Sequence, residues 1–92
     1  MSATVFFKTP DERLDFDLDF ARWLPAGDSI ASAAATITGG TATIDATEVV
    51  GTAVKVWIED GDDGDTSHVQ VLATTAEGRV AEMCFRLRVK DC

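Results

Sequence analysis

The segment Leu14-Asp15-Phe16-Asp17-Leu18-Asp19-Phe20 alternates apolar and acidic residues without a break. A period of two puts the apolar side chains on one side of an extended chain and the aspartates on the other. Wound as a helix, the same stretch would scatter three aspartates around its circumference, and aspartate is a poor helix-interior residue. The segment therefore predicts a strand with one buried face and one wet, acidic face.

The same rhythm returns along the chain. Thr52 to Glu59 sets Val54, Val56 and Ile58 against Lys55, Trp57 and Glu59. Ser67 to Thr75 sets Val69, Val71 and Ala73 inward, with His68, Gln70 and Leu72 opposite. After a tight connection at Ala76-Glu77-Gly78, Arg79 to Lys90 points Met83, Phe85, Leu87 and Val89 at the core and leaves Glu82, Cys84, Arg86, Arg88 and Lys90 outside. Ser29 to Thr38 is alanine-rich, so a short helix through 30–36 competes with a strand. Ile30, Ala33, Ala35 and Ile37 nevertheless fit a strand after one irregularity, and Thr36 and Thr38 favour sheet. Gly39-Gly40 and a β-like Thr41-Ala42-Thr43-Ile44 follow, which reads most simply as a hairpin. Between Phe20 and Ser29, proline and glycine turn the chain, with Trp23 and Leu24 expected to plug one end of the core. No stretch carries a 3.6-residue apolar stripe of helical length. Six or seven short strands at this spacing predict an all-β fold, a single antiparallel β-sandwich. Residues 14–92 form that domain, and residues 1–13 an N-terminal arm or edge segment.

Ninety-two residues suffice for one small core, with little to spare for a deep substrate cavity. Sixteen acidic against eight basic residues give a net charge of −8, which argues against a nucleic-acid partner whose phosphates need a basic surface. The apolar runs are far shorter than the roughly 20 residues that cross a bilayer, and residues 1–8 predict no secretory leader. Cys84 and Cys92 are separated by eight residues, about 26 Å when extended, whereas a disulfide needs Cα atoms within roughly 7 Å. Two free thiols are expected, made in a reducing compartment.

The candidates for chemistry are weak. Glu59-Asp60-Gly61-Asp62-Asp63-Gly64-Asp65 offers calcium-type oxygen ligands on a glycine-flexed loop, but counted from Asp60 it lacks the glycine at the sixth place and the glutamate at the twelfth. It reads as a solvated turn. His68 and two distant cysteines make no zinc set, and nothing in the sequence arranges a nucleophile and a carboxylate around His68. Asp15, Asp17 and Asp19 stand roughly 7 Å apart in water, so nothing raises a carboxyl group toward acid catalysis. With no phosphate-cradling glycine loop either, the expectation is a protein that is not an enzyme and takes no cofactor.

Surfaces are the better candidates. Phe6 and Phe7, adjacent on an extended segment, point to opposite faces, so one packs on the domain itself or inserts into a neighbouring subunit. Trp57, on the face opposite Val54, Val56 and Ile58, would be an exposed platform of the kind that binds sugars. Half of the basic residues (Arg79, Arg86, Arg88, Lys90) fall in the last fourteen positions. In immunoglobulin-like sandwiches the first and last strands often lie side by side, which would oppose Asp15, Asp17 and Asp19 to Arg86, Arg88 and Lys90 on one outer face. Such stripes stabilise the sheet or face a charged neighbour.

Two stretches carry a family resemblance. Asp11-Glu12-Arg13-Leu14-Asp15-Phe16-Asp17-Leu18-Asp19-Phe20-Ala21-Arg22-Trp23-Leu24, followed by Gly27-Asp28-Ser29-Ile30-Ala31-Ser32, is similar to the opening of the fiber-tail adaptor, or neck and tail-associated virion, proteins of tailed bacteriophages. Ala73 to Arg79 and Phe85-Arg86-Leu87-Arg88-Val89 resemble the ending of that family. The resemblance spans about residues 8–90. It implies an immunoglobulin-like β-domain that assembles on the virion, made in the bacterial host cytoplasm, and holds a tail fibre or a neighbouring tail, neck or portal component. It also implies a ring-like homo-oligomer in the particle and no catalytic residues. A carbohydrate- or surface-binding immunoglobulin-like module is the alternative. Phe6, Phe7, Trp57, Asp15, Asp17, Asp19, Arg86 and Arg88 are the candidate partner-binding residues, with Phe6 and Phe7 expected to dock residues 1–13 on a virion protein.

Overall fold

A computed structural model describes residues 4–91; the pairing state of Cys92 lies outside them. The described residues form seven strands: β1 (Thr4–Lys8), β2 (Leu14–Asp19), β3 (Ile30–Thr38), β4 (Ala42–Val50), β5 (Ala53–Asp60), β6 (Thr66–Thr75) and β7 (Val80–Val89). They pack as a four-stranded sheet in the order β1-β7-β6-β3 over a three-stranded sheet in the order β2-β5-β4. The only helical turn among the described residues is a 3-10 turn at Ala21–Trp23. The all-β sandwich follows from the alternation, because each strand has one apolar side and two such sheets can bury it only against each other.

Register shows this directly. Phe16 and Leu18 of β2 lie opposite Val56 and Val54 of β5, while Val69 and Val71 of β6 lie opposite Phe85 and Met83 of β7. Val54, Val56, Ile58, Val69, Val71, Phe85 and Leu87 are wholly buried. Phe6 joins them from β1: its ring lies 5.0 Å from Phe16 and 5.1 Å from Phe85, closing the gap between the two sheets. Aromatic pairs of this kind contribute about 0.5–1.5 kcal/mol each beyond the area they bury.

All pairs are antiparallel except one. β1 runs parallel to β7, with Phe6 opposite Leu87 and Phe7 opposite Arg88. After Lys8 the chain turns at Pro10 and crosses to the other sheet, so β1 and β2 belong to different layers.

Three expectations need correction. The glycine pair Gly39-Gly40 does not close a hairpin: β3 pairs with β6 and β4 with β5, so the glycines carry the chain from one sheet to the other. Both have positive φ, and the chain passes so close to β6 at Gly39 that a Cβ there would lie 3.0 Å from the Thr66 carbonyl oxygen. Trp23 does not plug the core, since 49% of it is exposed; Phe20, 1% exposed, belongs to the core instead, and Leu24 packs against it partly buried, as expected. The aspartate row does not face the arginine row. β2 pairs with β5, which sets Asp15 opposite Trp57 and Asp17 opposite Lys55, while the place beside β7 is taken by β1.

Candidate interaction surfaces

With the interior filled, the distinguishing side chains lie on the two outer faces. On the four-stranded sheet, strand parity turns Val5 and Phe7 of β1, Arg86 and Arg88 of β7, and Thr66 and His68 of β6 toward solvent. Val5, Arg86 and His68 share one row across the sheet, and Phe7, Arg88 and Thr66 the next. Phe7 is 59% exposed and Val5 42%, which puts two apolar side chains beside the arginines on this face. The inward row of β1 ends in Lys8, buried to 2% exposure, whose ammonium donates to the carbonyls of Thr9 (2.7 Å) and Pro10 (3.4 Å). That satisfies the charge without a carboxylate and fixes the end of β1, and so the direction of Phe7.

Beside Phe7 lies a shallow cleft of about 230 Å³, lined also by Asp63, Gly64, Asp65, Arg88, Val89 and Lys90. Its acidic wall is the loop with calcium-type ligands. Asp65 is spent on that loop: one carboxylate oxygen accepts from the Thr41 amide (2.9 Å), the Thr41 hydroxyl (2.7 Å) and the Asp62 amide (3.1 Å). These bonds, led by the Thr41 hydroxyl, hold the Asp65 carboxyl below its ordinary value. The loop is pinned to β7 by Gly64 N–H to Val89 O (2.8 Å) and Val89 N–H to Asp65 O (2.9 Å).

The outer face of the three-stranded sheet is acidic. Asp15, Asp17 and Asp19 of β2 are exposed, as is Glu48 of β4. Lys55 lies 3.5 Å from Asp15, and Asp19 accepts from the Ala21 amide and the Thr52 hydroxyl. Trp57, expected as an exposed platform, is half-buried on this face. The Arg13 guanidinium sits 4.4 Å over its ring, Nε1 donates to Glu48 at 2.8 Å, and Arg13 also pairs with Asp45. Asp45 reaches Arg13 at the register shift between Ile44 and Ala46. The ring face that a sugar would use is thus covered on one side by this chain's own arginine.

Sequence reasoning missed a third cluster, at the opposite end. Asp28, between β2 and β3, is reached by the β6–β7 turn: Arg79 donates to it at 3.0 Å, the Glu77 amide at 3.2 Å and the Ser29 amide at 2.9 Å. Burial alone would raise this carboxyl, but hydrogen bonds from the Thr75 hydroxyl, Ser29, Glu77 and Arg79 outweigh it and hold it below its ordinary value. The signal was present as a Gly-Asp-Ser turn and a Gly-Arg turn, each read separately.

His68 lies exposed on the four-stranded sheet and Cys84 is half-buried on β7. Among the described residues no group of three His, Cys, Asp or Glu side chains could hold a metal ion, and no helix is long and apolar enough to cross a membrane.

A model of the podophage GP4 fiber-tail adaptor protein gp77 family matches residues 8–88 of the 92-residue chain. The chain belongs to that family. The match takes in β2 through nearly all of β7, with the acidic outer face, Arg86 and Arg88 of the other, and the Asp28–Arg79 link, and leaves Val5 and Phe7 just before its first residue. No curated protein matches the chain.

Proposed function

We propose that this chain is a non-enzymatic structural protein of a tailed-bacteriophage virion, an adaptor that attaches a tail fibre or a neighbouring tail or neck component. The family match over residues 8–88 carries the reading. The construction of the domain supports it: the core is filled, and the chain's unusual residues stand outside, where they can grip other proteins. In this reading the fold is immunoglobulin-like. Its sheet orders β2-β5-β4 and β7-β6-β3 follow the pattern of seven-stranded domains of that kind, with the first strand moved to lie beside the last.

The partners are other virion proteins and further copies of this chain in a ring, where many weak contacts add up to a durable assembly. Phe7, Val5, Arg86 and Arg88 form one contact surface; Asp15, Asp17, Asp19 and Glu48 form another. Phe6, seated between Phe16 and Phe85, acts from within by holding β1 in place.

A stop codon early in the reading frame, in a phage that carries it, tests the role. Particles should assemble heads but lack fibres or an attached tail, and supplying the chain in trans should restore them. Complete, infectious particles without the chain would contradict the proposal.

A further inference from the structure

The chain has eight lysines and arginines, and half of them are engaged within the domain. Arg13 pairs with Asp45, Lys55 with Asp15, and Arg79 with Asp28 and Glu77, while Lys8 is buried against carbonyl oxygens. Of the rest, Arg22, in the turn after β2, lines a cleft with Asp17 and Asp19 but lies beyond ion-pair distance of both. Arg86, Arg88 and Lys90, which carry no ion pair among the described residues, follow one another along the exposed side of β7 and just past its end. In a chain of net charge −8, three exposed cations outside any ion pair among the described residues are available to a partner, although Arg88 and Lys90 share their cleft with Asp63 and Asp65.

The opposite outer face is the reverse. Across the three-stranded sheet, Asp17, Lys55 and Glu48 form one row and Asp19, Ala53 and Val50 the next. Among the described residues Asp17 and Asp19 have no cation within ion-pair distance, and Val50 is 52% exposed. The two faces therefore match as well as oppose in sign. Residues two apart on a strand are about 7 Å apart, so Arg86 and Arg88 have the same spacing as Asp17 and Asp19. Each pair of charges also has an exposed apolar neighbour in its row: Phe7 beside Arg88, and Val50 in line with Asp19.

We propose that the outer face of the four-stranded sheet of one copy docks on the outer face of the three-stranded sheet of the next, with Arg86 and Arg88 against Asp17 and Asp19 and Phe7 against the Val50 row. This rests on the reading of the chain as a self-assembling adaptor and names the surfaces that meet. Because the two faces are on opposite sides of one sandwich, the contact is heterologous. Each copy leaves one face free for another, so the arrangement continues until rotation closes it into a ring. Separated copies repel through their net charge, which keeps the free chain soluble and confines association to high local concentration.

Charge reversal in two variants of the full chain tests the pairing. Arg86→Glu with Arg88→Glu makes both faces acidic; Asp17→Lys with Asp19→Lys makes both basic. Circular dichroism should first show both folded as sheet. In sedimentation equilibrium at near-millimolar concentration, the unaltered chain should associate, each variant alone should shift to monomer mass, and an equimolar mixture should associate again, because each variant then offers the face the other needs. Either variant associating alone like the unaltered chain, or a mixture that stays monomeric, would overturn the pairing. An unaltered chain that is monomeric throughout would also overturn it, yet would leave the adaptor reading to be decided by its own test, the loss of fibres from particles lacking the chain.

Discussion

Asp28 and Arg79 stand fifty-one residues apart in the chain and meet at 3.0 Å. The carboxylate side chain is fully shielded from solvent, while the guanidinium remains half exposed. Their contact ties the loop that carries the chain between sheets to the β6–β7 turn, and two backbone amides, Ser29 and Glu77, complete it.

Replacing Asp28 by asparagine should lower the urea midpoint at neutral pH, because the amide keeps the shape but loses the charge that Arg79 and the amides bind. The folded-state carboxyl is held below its ordinary value of 3.8, so the unfolded chain binds protons there more readily. That contribution is complete above pH 3.8 and is lost as pH falls below it toward the folded-state value. Asp65 acts in the same direction. Urea titrations at neutral pH and below pH 3 should show the gap between the native chain and D28N closing in acid.

Phe85→Ala should be the most damaging single truncation. Phe85 is wholly buried and its ring meets both Phe6 and Phe16, so removing it opens a cavity where both sheets touch. The cost expected for such a site is about 3–5 kcal/mol. For a domain whose total stability is of the order of 5–15 kcal/mol, that is enough to populate the unfolded state on mild warming. Calorimetry of the purified variant reads it.

Gly61→Ala separates crowding from backbone strain. Gly61 has φ +104°, and a Cβ there would lie 2.8 Å from Val89 Cγ2 and 3.3 Å from Ala42 Cβ. Gly64, in the same loop, has φ +91° with open space around it. Alanine at Gly64 should cost about 1–3 kcal/mol through backbone strain alone, and alanine at Gly61 measurably more. Equal shifts in thermal midpoint would contradict the close packing of this loop on β7.

Arg13→Ala should uncover Trp57 with little loss of stability, about 1 kcal/mol or less, since both the stacked guanidinium and its Asp45 partner are partly exposed. In a Trp23→Phe background the remaining tryptophan emission should move to longer wavelength.

The fold was legible wherever one strand face is buried. The alternation of Leu14–Phe20, Val54–Ile58, Val69–Ala73 and Met83–Val89 sets inward and outward sides, because a slip of one residue would turn every apolar side chain to water. Even the irregularity in the alanine-rich stretch is present, as a register shift between Ile30 and Ser32. Which strand lies beside which was not legible. The aspartates of β2 could have met any basic row, and the pairing with β5 is decided by sheet topology and long-range packing rather than by local pattern. Gly39-Gly40 has the composition of a hairpin turn but serves as a crossover, since positive φ suits both. At the surface, the exposure of Phe7 follows from its parity with Phe6, whereas the stacking of Arg13 on Trp57 depends on a contact no spacing encodes.

The central claim is that the inside of this sandwich holds the domain together while its outside holds other proteins, and Phe7→Ser combined with Arg88→Ala tests it most directly. Both side chains are exposed, so the purified variant should keep its thermal midpoint to within a few degrees. Quantitative mass spectrometry of particles made with this variant should find the chain folded in the lysate but depleted from the virion, together with loss of the fibre or tail component it holds. A variant that enters particles at full copy number, with fibres in place, would contradict the account.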